Sequence, residues 1–361
     1  MQQAGGGRFR NYRGNVIRVM TIREQVLLLL EKHRGEFFSG QEIAQQLSIS
    51  RAGVWKAVKA LQKDGYDIEA VNNRGYVLQK ATDALSGAFI EQKLKERNIP
   101  LYVRVEKTVD STNNELKRYV VDGERRDMVL LAQQQSAGRG RRGHSFYSPE
   151  GTGLYLSLLL HPDAGPKEAT MLTTLTAVAA AKAVEKVSGE PAMIKWVNDV
   201  WMRGLKISGI LTEGSASLEE GKLEYVIVGI GINMYEPEGG FPEEIRNIAG
   251  AVFQGHGPGE NLRNQVAVEF LTNFMEYYKA FPARNYLDEY RKRCFVIGKK
   301  VCIVTPEGAP GRQADAGGAD REYAFVLGID EECHLHVRYD DGTTEYLSSG
   351  EISVKLQPQG C

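Results

Sequence analysis

The run Ala137-Gly138-Arg139-Gly140-Arg141-Arg142-Gly143 alternates glycine with arginine. Glycines let backbone amides approach a ligand closely, and Arg139, Arg141 and Arg142 offer forked donors suited to phosphate or carboxylate. The run contains a literal G-x-G-x-x-G, but the dinucleotide fingerprint needs a strand directly before it and a helix directly after. Here the chain continues through His144, Pro149 and Gly151 towards a strand. We therefore read an anion-binding loop, against the alternative of a solvated turn of the same composition. No G-x-x-x-x-G-K-[ST] occurs, so any ATP is held without a Walker loop.

Two further clusters carry polar chemistry. In Lys195-Trp196-Val197-Asn198-Asp199, the last two residues supply oxygens suited to Mg²⁺ or a hydroxyl. Lys206, entering the apolar stretch Ile207-Ser208-Gly209-Ile210-Leu211, is a cation costly to bury without an anion. A turn with an Asx motif and an outward-reaching lysine would read the same way. In Asp110-Ser111-Thr112-Asn113, short polar side chains meet a helix start, and capping accounts for only one or two of them. The others are left to hydrogen-bond a small polar ligand.

These clusters need a scaffold. Strand-like runs at 101–105, 128–132, 154–160, 207–213 and 225–232 alternate with helices from Thr112, over about 168–187, and over about 262–281. The second of these is rich in alanine and suited to close packing on a sheet. The pattern predicts an α+β unit with a mixed sheet over 85–290.

In front of it, over 20–80, Thr21 with Glu24 and Ser39 with Glu42 fit capping boxes, and Ser50 starts a third helix carrying Val54, Val58 and Leu61. Gly65 stands where that helix should end. A hairpin over 68–78, turning at Asn72-Asn73-Arg74-Gly75, completes a winged helix-turn-helix. Lys56, Lys59 and Lys63 form one stripe of the third helix with Arg51 at its start, and Arg74 caps the wing; all five are candidate DNA contacts. Residues 79–87 read as a linker.

After Cys294, short alternating strands at 300–305, 323–329, 335–339 and 343–347, with an Asp341-Gly342 turn, predict a small SH3-like β-barrel over 291–361. His334 and His336 alternate on one strand and are read as surface residues, since no third metal ligand lies nearby. The stretch 306–320 is a Gly-, Ala- and Pro-rich insertion, and 1–19 a disordered basic tail.

The motifs at 110–113, Gln135 with 138–143, Lys195-Trp196-x-Asn198-Asp199, Lys206-x-Ser208-Gly209-Ile210-Leu211 and Gly229-Ile230-Gly231-Ile232-Asn233 stand in the order seen in biotin protein ligases. With the winged helix before them and the small barrel after, the whole resembles the bifunctional biotin ligases that also repress biotin operons. The resemblance implies a two-step reaction. Biotin and ATP give biotinyl-5'-AMP and pyrophosphate, and a lysine of the carboxyl carrier protein of acetyl-CoA carboxylase then takes the biotinyl group. It also implies repression of biotin genes as a homodimer on operator DNA, with biotinyl-5'-AMP as corepressor.

By motif, Ser111, Thr112, Asn113 and Gln135 would bind biotin. Arg139, Gly140 and Arg141 would close over biotin and its adenylate, and Lys206 would contact the biotin carboxylate and α-phosphate; Arg139, Arg141 and Lys206 are the catalytic candidates. Arg141, Phe146, Asn198, Asp199 and Asn233 would serve the nucleotide, with Asp199 the candidate Mg²⁺ ligand. The family usually has Pro at the position of Val197, a change that removes no functional group. Many relatives have Trp where Phe146 stands, which reduces the stacking surface.

Composition is compatible with this and excludes other classes. Lys and Arg number 45 against 46 Asp and Glu in 361 residues, so any DNA surface must come from local clustering. The apolar run Val26–Leu30 is too short to span a bilayer, and the 4 cysteines include no C-x-x-C pair. A soluble, cytoplasmic, reduced protein is expected. The alternatives are a lipoate or octanoate ligase, whose pocket would be less polar around residues 111–113, and a regulator that senses a small acid without catalysis, against which Arg139 and Lys206 argue.

Overall fold

The structure, a computed structural model, describes residues 20–217, 221–255, 261–304, 321–348 and 353–356. The basic segment 1–19 and the insertion 306–320 therefore lie outside the described residues.

Helices α1 (Ile22–Lys32), α2 (Gly40–Leu47) and α3 (Arg51–Lys63) precede a hairpin of β1 (Ile68–Val71) and β2 (Gly75–Leu78). Both capping boxes form: Thr21 and Ser39 each accept from the amide of the glutamate three residues on, whose carboxylate accepts from their own amide. Ser50 Oγ accepts from Gly53 N at 3.1 Å. Val26, Leu30, Ile43, Val54, Val58 and Leu61 meet in one buried core, which leaves the lysine stripe of α3 outside.

The stretch read as a linker is not a free tether. Thr82, Ala84, Leu85 and Ser86 are buried, and their backbone groups are hydrogen-bond partners of both flanking units. On the N-terminal side Arg34 Nη1 donates to Thr82 O at 2.6 Å and Tyr66 Oη to Leu85 O at 3.0 Å. Two elements follow, α4 (Gly87–Glu96) and β3 (Tyr102–Val109).

The central unit continues with α5 (Thr112–Val121), β4 (Met128–Gln135), β5 (Gly153–Leu160), α6 (Ala169–Ser188), β6 (Met193–Lys195), β7 (Asp199–Met202), β8 (Leu205–Ser217), β9 (Lys222–Asn233), α7 (Leu262–Tyr278) and α8 (Leu287–Arg293). Its seven strands run in the order β3-β4-β5-β9-β8-β7-β6. The pair β3–β4 is parallel and every other neighbour antiparallel, so the sheet is mixed as expected. Every residue of β5 is buried, and α6 lies in the core through Leu172, Leu175, Ala179 and Ala183. Elements α4, α8, β6 and β7 were not anticipated; β6 and β7 are too short for a period to register.

The last unit pairs β10 (Lys300–Val304), β11 (Arg321–Ile329), β12 (Leu335–Tyr339), β13 (Thr344–Leu347) and β14 (Ser353–Leu356) in the order β13-β12-β11-β10-β14, all antiparallel. Its core merges with that of the central unit, and Trp196 Nε1 donates to Cys333 O at 3.0 Å. Cys294, Cys302 and Cys333 are free and buried, and burial pushes the Cys294 thiol up to about 11, far from thiolate reactivity. His334 Nδ1 lies 3.0 Å from Asp330, and His336 stacks on Tyr346 with ring centroids 4.3 Å apart. Among the described residues no helix is long and apolar enough to cross a membrane.

Candidate active site

The parallel pairing of β3 with β4 brings Val109 beside Gln135, so the start of α5 faces the end of β4. Gln135 Oε1 accepts from Thr112 N at 2.9 Å, and its Nε2 donates to Ser148 Oγ at 2.9 Å, which fixes the orientation of the amide. Ser157 Oγ, on the buried strand β5, lies 2.7 Å from Thr112 Oγ1 and 2.6 Å from Asn113 Oδ1. Asn113 Nδ2 donates to Glu213 Oε2 at 2.9 Å. Ser111 is the N-cap of α5 yet makes no side-chain capping bond. The result is a rigid polar end whose groups are oriented before any ligand arrives.

The floor is β9. A Cβ at Gly229 would overlap the Asn113 amide, and one at Gly231 would fall inside the Phe146 ring, so both positions require glycine for close approach. We expect Gly229→Ala to displace Asn113 and raise the KM for the small acid about 10- to 100-fold with little change in melting temperature. An unchanged KM, measured by steady-state pyrophosphate release, would remove Asn113 from the site.

Cations line the opposite wall. Lys206 Nζ stands 2.8 Å from Asp199 Oδ1 as an ion pair, without the alignment of a hydrogen bond. Arg141 Nη1 donates to Asn198 Oδ1 at 3.2 Å, and Asn198 Nδ2 to Ile210 O at 3.1 Å. Burial lowers the Arg141 pKa, an effect strengthened by Arg142 and opposed by Asp199. A partly desolvated guanidinium of this kind gains most from an arriving anion. Arg139 Nη1 donates to Glu213 Oε1 and Asn114 Oδ1, both at 3.0 Å. The arginine loop folds on itself, with Gly140 N donating to His144 O at 2.7 Å and Phe146 N to Gly138 O at 2.8 Å.

Together these groups enclose a cleft of about 240 Å³ lined by residues 111–113, Gln135, 139–142, Phe146, Asn198, Asp199, Lys206 and the β9 glycines. Polar anchors at one end and cations at the other suit a small neutral polar head joined to a carboxylate, with room for phosphate. Asn233, the last residue of β9, does not line this cleft: its Nδ2 donates to Gly250 O at 3.0 Å. Sequence reading missed Glu213, Ser157, Ser148 and Asn114. As the one charged residue of the strand read at 207–213, Glu213 carried an available signal; the two serines and Asn114 carried none.

The carboxylates that hold this scaffold titrate low. Arg118 beside Asp110 holds its carboxyl far below the usual range, helped by Asn114. Burial works to raise Glu213 but is outweighed by hydrogen bonds from Lys117 and Asn113, so its pKa is also depressed. A depressed folded pKa contributes stability that is complete above the unfolded carboxylate value and is lost as pH falls through the folded one. We expect the thermal stability of the wild type to fall on acidification below about pH 4, and Asp110→Asn to flatten that slope.

In the N-terminal unit Arg51, Lys56, Lys59 and Lys63 are all exposed on α3. Arg74, at the wing turn, lies with its guanidinium 3.9 Å from the Phe37 ring centroid. All five candidate DNA contacts therefore stand on the two elements, helix and wing, that such a unit presents to a duplex.

A winged helix joined to a mixed-sheet ligase unit and a small antiparallel sheet defines the class, and sequence comparison agrees with it. Residues 105–233 match the biotin/lipoate A/B protein ligase family, 22–77 an HTH domain, and 324–355 the biotin protein ligase C-terminal domain. The chain is 36% identical over 332 residues, 91% of its length and 98% of the relative's, to the bifunctional ligase/repressor BirA of Bacillus spizizenii. It is 32% identical to the protein of that name from Escherichia coli, over 93% of this chain and 98% of the relative. The structure of a biotin protein ligase from Aquifex aeolicus in complex with biotin and ATP superposes with a TM-score of 0.56 at 27% identity, over 71% of this chain and 99% of that one. This chain belongs to the bifunctional biotin ligase/repressor family.

Proposed function

We propose that the protein activates biotin with ATP, transfers it to a lysine of a biotin carboxyl carrier protein, and represses biotin-synthesis genes with biotinyl-5'-AMP as corepressor. The observation that carries the ligase reading is the single cleft in which the fixed polar set Ser111, Thr112, Asn113 and Gln135 faces Lys206, Arg139 and Arg141. In the first step a carboxylate oxygen of biotin attacks the α-phosphorus of ATP, the bond to the β-phosphate breaks, and pyrophosphate leaves. Two anions must meet, so Lys206 and Arg141 lower their repulsion and stabilise the charge on the transferring group. Arg139 and Gly140 belong to the loop that covers the adenylate and keeps water from an acyl phosphate. In the second step the acceptor amine attacks the acyl carbon and AMP leaves.

Phe146, against the β9 glycines, offers the nucleotide a stacking face, and Asn198 and Asp199 its polar contacts. The donor set fits Mg²⁺ only as an ion arriving with the ATP phosphates. Asp199 is the one carboxylate in the cleft wall, and no group of three His, Cys, Asp or Glu able to hold a metal occurs among the described residues. Asn233 serves the site through the backbone it holds at Gly250. Arg51, Lys56, Lys59, Lys63 and Arg74 contact operator DNA, and a homodimer places two such units on a two-fold operator. A reaction that needs ATP and a function on genomic DNA place the protein in the cytoplasm.

The test is mass spectrometry of a biotin-carrier domain incubated with the protein, ATP, Mg²⁺ and biotin, with lipoate in a parallel tube. A gain of one biotinyl group is expected. Reaction with lipoate alone would move the assignment to a lipoate ligase, and no reaction in either tube to a non-catalytic sensor. Separately, the absence of any preference for its own biotin-gene promoter in the presence of biotin and ATP would remove the repressor role.

A further inference from the structure

Trp55, the fifth residue of α3, is 53% exposed, while Trp196 is 5% exposed in the central core. Among the described residues Trp55 has no part in the buried face of α3, which is Val54, Ala57, Val58 and Leu61. An indole left in water on a short helix is a cost that ordinary surface residues avoid. At about 100° per residue, Arg51, Trp55 and Lys59 are successive i, i+4 neighbours, so the indole lies between two cations on the exposed face. Ala52 is exposed beside it, and Lys56 and Lys63 border the same face. The centre of the recognition surface is thus apolar and its rim cationic.

We infer that Trp55, with Ala52, reads thymine methyl groups in the major groove and is the specificity-determining residue of the DNA-binding unit. The inference rests on the repressor reading proposed above. Cations surrounding an apolar centre match a duplex, where phosphates flank the groove and the only apolar group on a base edge is the C5-methyl of thymine. Trp55 stands in the first half of α3, five residues after the Ser50 cap, and the N-terminal part of a recognition helix is the part that meets base edges. The lysines supply the affinity that any sequence shares, and the indole supplies the difference between sequences. Nothing in this division of labour involves the ligase cleft, so Trp55 stands outside the catalytic machinery.

The experiment uses the full chain with biotin and ATP. The wild type is footprinted on its own biotin-gene promoter, and duplexes are then made in which each thymine of one protected half-site is replaced by deoxyuridine, which removes only the methyl. At one or two positions methyl removal should weaken wild-type binding about 4-fold, the equivalent of one buried CH₂. Trp55→Ala should lose about 10- to 100-fold of promoter affinity, become insensitive to deoxyuridine at those positions, and bind a scrambled duplex as the wild type does. Lys59→Ala should instead weaken both duplexes alike and lower the salt dependence of log K by roughly 0.9. An unchanged melting temperature and biotinylation rate certify that Trp55→Ala is folded.

A promoter preference kept in full by Trp55→Ala overturns the proposal alone, as does deoxyuridine sensitivity that survives the substitution. Loss of concentration-dependent self-association in Trp55→Ala, with an unchanged deoxyuridine response, assigns the indole to a protein contact and overturns it too. A wild type with no promoter preference overturns the repressor reading and this proposal together.

Discussion

Lys206→Ala is expected to lower the rate of adenylate formation by about 10²- to 10³-fold, the cost of losing one fixed cation at a site of developing negative charge. Lys206 Nζ is held 2.8 Å from Asp199 at the mouth of an apolar strand, and its backbone is fixed by Lys206 N donating to Ile248 O and Gly250 N to Lys206 O, each at 2.8 Å. The ammonium is therefore positioned before substrate binds, and the substitution removes charge without removing a structural partner of the core. The ion pair is partly exposed, so the melting temperature should move by only a few degrees. Pyrophosphate release at saturating ATP, together with a thermal melt, separates the two effects. A variant that unfolds, or one that turns over at the wild-type rate, would take Lys206 out of the chemistry.

Arg263→Ala should be the most destabilising single change outside the apolar core. Arg263 and Asp83 form an ion pair with side chains 6% and 15% exposed, and Asp83 also accepts from Arg263 N at 3.0 Å and Tyr235 Oη at 2.6 Å. One turn of α7 therefore grips the segment between the DNA-binding and ligase units, aided by Asn264, whose Oδ1 accepts from Ser86 N at 2.8 Å. Removing the guanidinium leaves a carboxylate desolvated and short of its partner, at about 3 kcal/mol. The melting temperature should drop by several degrees, and promoter binding should weaken more than biotinylation, because the joint orients the winged helix and not the cleft. Asp83→Asn in the same background should recover part of the loss, since the pair is coupled. Strictly additive effects in that double-mutant cycle would show that the two residues act independently.

Much of the local structure was legible in the chain. The capping boxes at Thr21 and Ser39, the hairpin turn at Asn73, the alanine-rich helix and the alternating strands beyond Cys294 all formed, because each is decided by neighbours a few residues away. The order of motifs was sufficient to indicate the ligase class. The connecting segment 79–87 was legible as a link between units, and its anchoring was not, for a physical reason. Its polar composition is that of a solvated tether, and only the arrival of Arg34 and Tyr66 from one unit and Arg263 and Asn264 from the other, the latter pair about 180 positions later in the chain, converts those groups into satisfied partners.

The cleft divides in the same way. Residue types alone marked Ser111, Thr112, Asn113, Arg139, Arg141 and Lys206, since a cation beside apolar residues or an excess of short polar side chains at a helix start asks for a partner. Sequence could not supply the groups that orient them. Ser157 is the one serine in a wholly buried strand, and Glu213 reaches Asn113 only across the sheet, through the register of β8 with β9. Asn233, placed by motif in the nucleotide site, donates its Nδ2 to the Gly250 carbonyl, a partner supplied by the segment that follows β9. What the chain determined by itself was which groups are chemically able to hold an anion and where local elements begin and end, because both depend on residue type and short spacing. What the tertiary structure decided was which of those groups share one cleft and which donors fix them, because strand register and long-range packing set distances that no local pattern encodes.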